Sequence, residues 1–90
     1  DSTASAAVIS LNQFQLYPNP VNDVLNLKFD HLPSNSHALI VDLLGREMIQ
    51  IDLETQLTEI HVSDLPRGMY MIQLIDSSNQ IIGMQKFLRE

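Results

Sequence analysis

Three histidines, His31, His37 and His61, are the side chains best suited to hold a metal or move a proton near neutral pH. None stands at an i, i+4 spacing from another, and a metal centre needs three or four convergent ligands, so they read as solvated or strand-face histidines. Carboxylates are plentiful but scattered: Asp23, Asp30, Asp42, Glu47, Asp52, Glu54, Glu59, Asp64 and Asp76. Two of them meeting in space would permit glycosidase-type acid–base work, but only beside a cleft deep enough to raise one pKa. The serines lack a G-x-S-x-G elbow, and three glycines build no phosphate loop. Cysteine is absent, which removes disulfides, thiolate metal ligands and a thiol nucleophile. The chain is therefore expected to have no catalytic residue, no cofactor and no metal.

Ninety residues hold one small domain with a modest core. Eleven acidic against five basic residues give a net charge of −6, the wrong sign for a phosphate backbone, so nucleic acid is not an expected partner. No apolar run approaches the ~20 residues that cross a bilayer, so stable membrane insertion is not expected either. A chain beginning at Asp1 is expected to be a piece of something longer. Residues 1–13 are small and polar apart from Val8, Ile9 and Leu11 and read as a linker; the domain is expected to span 14–90.

From Phe14 onward, turn signals recur every eight to twelve residues: Pro18-Asn19-Pro20, Pro33-Ser34-Asn35-Ser36, Gly45-Arg46, Glu54-Thr55-Gln56, Pro66-Arg67-Gly68 and Ser77-Ser78-Asn79. Short strands at such spacing predict an all-β sandwich or barrel. Leu25, Leu27 and Phe29 alternate with Val24, Asn26 and Lys28, as in a half-buried strand. The run 38–44 is apolar on both faces and predicts a central strand. Segments 47–52, 57–62, 69–76 and 80–88 follow, with Gly83 an expected bulge or weak point. The stretch 46–65 is long enough for a helix, but Ile49, Ile51, Ile60 and Val62 are β-branched at even spacing, and strand is the better reading. Six or seven antiparallel strands result, with Phe14–Tyr17 as the outlying edge.

Two motifs stand apart. In Tyr17-Pro18-Asn19-Pro20 each proline fixes its own φ and drives the residue before it toward extended backbone, which stiffens the entry to the first long strand. In Leu65-Pro66-Arg67-Gly68-Met69-Tyr70 the proline presets a turn and Gly68 supplies a positive φ. Tyr70 is then placed to plug the core, or to hydrogen-bond across a corner of the sandwich.

Together with Phe14-Gln15-Leu16 before the first of them, Val24-Leu25-Asn26-Leu27, the run from Ala38 through Asp42 and Gly45-Arg46 to Met48, and the ending Lys86-Phe87-Leu88-Arg89, these motifs resemble the type IX secretion system C-terminal sorting domain of Bacteroidota. The resemblance runs from Phe14 to the end of the chain, with Tyr17, Pro18, Asn19, Pro20, Asp42, Gly45, Leu65, Pro66, Gly68 and Tyr70 as the motif positions. It implies an immunoglobulin-like antiparallel β-sandwich of about seven short strands. It also implies a secretion signal behind a fused N-terminal cargo, read by an outer-membrane translocon and usually cleaved by a cell-surface sortase-like protease. The location implied is the periplasm in transit, then the cell surface or the outside. Glu90 departs from the basic ending common in the family.

No acidic residue separates Asp76 from Glu90, so Lys86 and Arg89 make a basic ending on an acidic chain. That ending suits an acidic receptor, through strand addition or steering, and Lys86, Phe87, Leu88 and Arg89 are the expected recognition residues. Charged blunting of a sheet edge accounts for it equally well. The alternative function is an accessory immunoglobulin-like module contacting polysaccharide or protein. The absence of Trp counts against an aromatic sugar platform.

Overall fold

The structure, a computed structural model, describes residues 14–33 and 35–90; the expected linker 1–13 lies outside the described residues. Seven strands follow in order: β1 Phe14–Tyr17, β2 Val24–Phe29, β3 His37–Asp42, β4 Glu47–Asp52, β5 Leu57–His61, β6 Gly68–Ile75 and β7 Ile81–Arg89. They form a three-stranded sheet, β1-β2-β5, and a four-stranded sheet, β4-β3-β6-β7. Every strand pair is antiparallel, and the chain changes sheets at β2–β3, β4–β5 and β5–β6. Of the sandwich and barrel that the turn spacing allows, this is the sandwich, with the seven antiparallel strands of the immunoglobulin-like form that the resemblance implies.

Alternation decides what faces inward. Leu25, Leu27 and Phe29 of β2 meet Ala38, Ile40, Tyr70, Ile72, Leu74 and Phe87 from the opposite sheet in one core. The intervening residues of β2 and β5 form the outer face of the three-stranded sheet, where Asn26, Lys28, Glu59 and His61 stand beside the apolar Val24 and Leu57. The run 38–44 gives a central strand, β3, as its two apolar faces require. It ends at Asp42, however, and Leu43 and Leu44 lie in the following turn, 66% and 80% exposed.

Two bulges interrupt the ladders. Ile40 pairs with Ile49 but Val41 with Glu47, leaving Met48 as the extra residue of β4. Leu74 pairs with Gly83 but Ile75 with Ile81, so the extra residue of β7 is Ile82, adjoining the glycine singled out in the sequence.

Candidate functional site

The terminal strand is the outermost member of the four-stranded sheet, so one side of its backbone needs a partner other than β6. The Tyr17–Pro20 motif supplies much of it. Asn19 presents its side-chain amide to β7 as a short peptide would. Its Oδ1 accepts from Leu88 N–H at 3.0 Å, and its Nδ2 donates to Lys86 C=O at 3.4 Å. Val21 continues the seam: its N–H donates to Leu88 C=O at 2.8 Å and its C=O accepts from Glu90 N–H at 2.9 Å. The two prolines on either side of Asn19 restrict the backbone that aims this amide. Tyr17 anchors the strap from behind, its C=O accepting from Asn26 Nδ2 at 3.1 Å.

The four terminal residues expected to act together are divided by the pleat. Phe87 is 0% exposed and stacks on Tyr70 with ring centroids 5.7 Å apart. Arg89 points inward as well and reaches the segment that follows β5, where Nε donates to Val62 C=O and Nη2 to Ser63 C=O, both at 2.8 Å. A third contact joins Arg89 Nη1 to Glu90 C=O. Lys86 is exposed and Leu88 half-buried, both on the outer face. Arg89 therefore staples the sandwich through the carbonyls of Val62 and Ser63, and the sequence treats as one handle what the fold makes two. The signal for this division was present in the alternation of 84–89.

The second motif closes the same end of the molecule. Gly68 opens β6 at φ +150°, a backbone open to glycine and rare for other residues. Tyr70 is buried, and its hydroxyl donates to Pro66 C=O at 2.5 Å, a tyrosine corner tying the strand to its own turn. Leu65 is buried beneath that turn and Pro66 exposed on it.

Asp42 organises the β3–β4 turn. Its Oδ1 accepts from Leu44 N–H and Arg46 N–H, both at 2.9 Å, and its Oδ2 from Arg46 Nε at 2.7 Å. The Arg46 backbone N–H, chiefly, with the guanidinium and Leu44 N–H, holds the carboxyl below its ordinary value against an opposing contribution from desolvation. Gly45 takes the left-handed position at φ +85° that completes the turn.

The histidines do not converge. His31 follows β2, His37 opens β3 in the four-stranded sheet, and His61 ends β5 in the three-stranded one. Among the described residues no three His, Asp or Glu side chains are placed to share a metal.

The family model described as the secretion system C-terminal sorting domain matches residues 15–88, well over half of the chain. The chain belongs to that family. It is a C-terminal sorting domain of type IX secretion, and the match spans both proline motifs and most of the terminal strand. Among solved structures, the crystal structure of CopC from Methylosinus trichosporium OB3b resembles it with a TM-score of 0.57 at 17% identity, over 86% of this chain and 93% of that one. That likeness establishes a shared β-sandwich. A comparison with curated proteins finds no match.

Proposed function

We infer that this sorting domain acts as a folded signal whose terminal strand, displayed at a sheet edge, is read by the outer-membrane translocon. A sortase-like protease then separates it from its cargo within residues 1–13. The observation that carries the reading is the clasp on β7. The family's Tyr17-Pro18-Asn19-Pro20 motif spends its side-chain amide on the backbone of Lys86 and Leu88. Two ends of the chain that are distant in sequence are thus one structural unit. The terminal residues are held in a fixed shape in which Lys86 faces solvent. Small residues at Ser2, Ala4, Ser5, Ala6 and Ala7 suit an extended backbone entering a protease cleft. Transit runs through the periplasm to the cell surface or beyond.

The clasp narrows how recognition occurs. Leu88 directs both its N–H and C=O at Asn19 and Val21, so its edge is closed to an added strand. Recognition of the clasped ending then falls to side chains, with Lys86 its exposed cation.

The test fuses residues 1–90 behind a signal peptide and a reporter in a host possessing this system. Removing 80–90 would delete Phe87 from the core, so the informative variant is Lys86→Glu, which keeps the fold. Reduced export with an unchanged melting temperature supports the reading, whereas undiminished export removes Lys86 from the signal. Mass spectrometry of the exported reporter locates the cut, and a cut inside 14–90 contradicts the protease assignment.

A further inference from the structure

All four methionines of the chain lie on the four-stranded sheet, and the strand alternation turns them outward: Met48 on β4, Met69 and Met71 on β6, Met84 on β7. Leu39 and Val41 of β3 and Leu88 of β7 share that face, since their strand neighbours Ala38, Ile40 and Phe87 are the ones in the core. The corresponding face of the other sheet is mostly polar, with Gln15, Asn26, Lys28, Glu59 and His61 beside Tyr17, Val24 and Leu57. The asymmetry is not a requirement of the sandwich, because either outer face can be solvated.

At one end of this face lies an open depression of about 310 Å³, lined by Leu43, Leu44, Met48 and Met69 and also by Arg67 and the Arg46–Asp42 pair. Leu43 and Leu44 are not there to make the turn. The β6–β7 turn has the same hydrogen bonds: Asp76 N–H to Gln80 C=O, Asn79 N–H to Asp76 C=O, and Asp76 Oδ1 accepting from Ser78 and Gln80. It places Ser77 and Ser78 where the other turn has two leucines. The backbone needs no apolar side chain at either position.

Charge identifies the kind of partner. Arg46, Arg67 and Lys86, three of the five basic residues of a chain of net charge −6, border or stand on this one face. Arg46 and Asp42 engage each other, the only ion pair among the described residues, so the unpaired cations of this face are Arg67 and Lys86. Glu47 begins β4, and Asp52 sits at the opposite end, paired with His37. Methionine adapts its shape to an apolar partner, and a cationic border selects an acidic one.

We propose that the outer face of the four-stranded sheet, from the Leu43-Leu44 turn across Met48, Met69 and Met84, is a docking surface for an apolar protein surface bearing carboxylates. Its owner is the export component that receives the folded domain, and in this respect the proposal rests on the sorting reading. It adds a contact separate from the terminal strand's backbone: the clasp presents the ending, and the methionine face seats the domain.

The test compares two double variants in the reporter fusion. Leu44→Glu with Met69→Glu puts carboxylates on the docking face; Gln15→Glu with Leu57→Glu adds the same charge to the outer face of the three-stranded sheet. Export should fall about tenfold or more for the first pair and stay unchanged for the second, as expected for charge placed at the centre of an interface. Should the first pair melt early, Leu43→Ser with Leu44→Ser borrows the residues of the equivalent turn and should lower export at an unchanged melting temperature. Equal export by the face variants and the unmodified domain overturns the proposal while leaving the sorting reading intact; failure of the unmodified fusion to be exported takes down both. The proposal is also overturned if the purified domain forms a dimer that Leu44→Glu with Met69→Glu abolishes, which assigns the face to a second copy. Sedimentation with phosphatidylglycerol vesicles, lost in the same pair, would assign it to lipid and overturn it equally.

Discussion

The two hairpin turns of the four-stranded sheet share a backbone and differ in everything they show to solvent. Each is a three-residue loop closed by an aspartate, with a left-handed residue in the same place: Gly45 at φ +85° in one, Asn79 at φ +68° in the other. In each, the aspartate's Oδ1 accepts two backbone N–H groups, so the side chain stands in for the missing strand partner. They lie at opposite ends of the sheet, since β3 and β6 run antiparallel with Asp42 beside Tyr70 and His37 beside Ile75. Around Asp42 the structure adds a tyrosine corner, an inter-sheet arginine staple and an exposed leucine pair. Around Asp76 it adds serines. The corner and the staple tie the Asp42 end more tightly, whereas the exposed leucine pair is something the shared turn backbone does not need.

The comparison breaks most visibly at Tyr70. Truncation to Ala removes a buried ring from its stack on Phe87 and leaves Pro66 C=O without its donor, and should cost about 3–5 kcal/mol by chemical denaturation. Ile81→Ala, at the opposite end and half exposed, should change stability by no more than ~0.5 kcal/mol. Similar losses at both sites would mean that the Asp42 end is not the more tightly tied of the two.

Much of this end was legible from residues. Leu25-Leu27-Phe29 and Tyr70-Ile72-Leu74 alternate, and alternation is a local property that survives into the fold as burial. The Pro66-Gly68-Tyr70 spacing foretold a positive φ and a corner hydrogen bond, since a turn and the strand it feeds are contiguous. The clasp was illegible for the opposite reason. Asn19 and Leu88 are 69 positions apart, and nothing in either neighbourhood names the other as its partner. Leu43 and Leu44 misled because an apolar run reads as strand until an aspartate side chain captures the backbone N–H groups two and four residues on. Phe87 and Arg89 looked like parts of one basic handle because charge was counted along the chain, whereas the pleat sorts by parity.

A second, smaller break separates the two terminal cations. Arg89 donates to Val62 and Ser63 from across the sandwich, so Arg89→Ala should cost about 1.5–3 kcal/mol, the range for charge-assisted hydrogen bonds. Lys86→Ala should stay within ~0.5 kcal/mol. Urea titration of the two variants side by side measures the contrast. If both were neutral, Arg89 would return to the role of an available handle, and the stapled end would depend on Tyr70 alone.

The smallest effect concerns the feature in which the twin turns differ electrostatically, the Arg46–Asp42 pair. The folded-state pKa of Asp42 lies below its ordinary 3.8, so the native state favours the carboxylate more than the unfolded chain does. The stability this supplies is complete above about pH 3.8 and drains away as pH falls through the lower, folded value. Asp42→Asn keeps an oxygen for Leu44 and Arg46 N–H but never carries the charge. Its melting temperature should lie slightly below that of the unmodified domain at neutral pH, and the two curves should draw together in acid below pH 3.8. A gap that persists undiminished into that range would show that the turn depends on the geometry of its acceptor and not on its charge. The Asp42 and Asp76 turns would then be alike in mechanism as well as in backbone, and the leucine pair would be the whole of their difference.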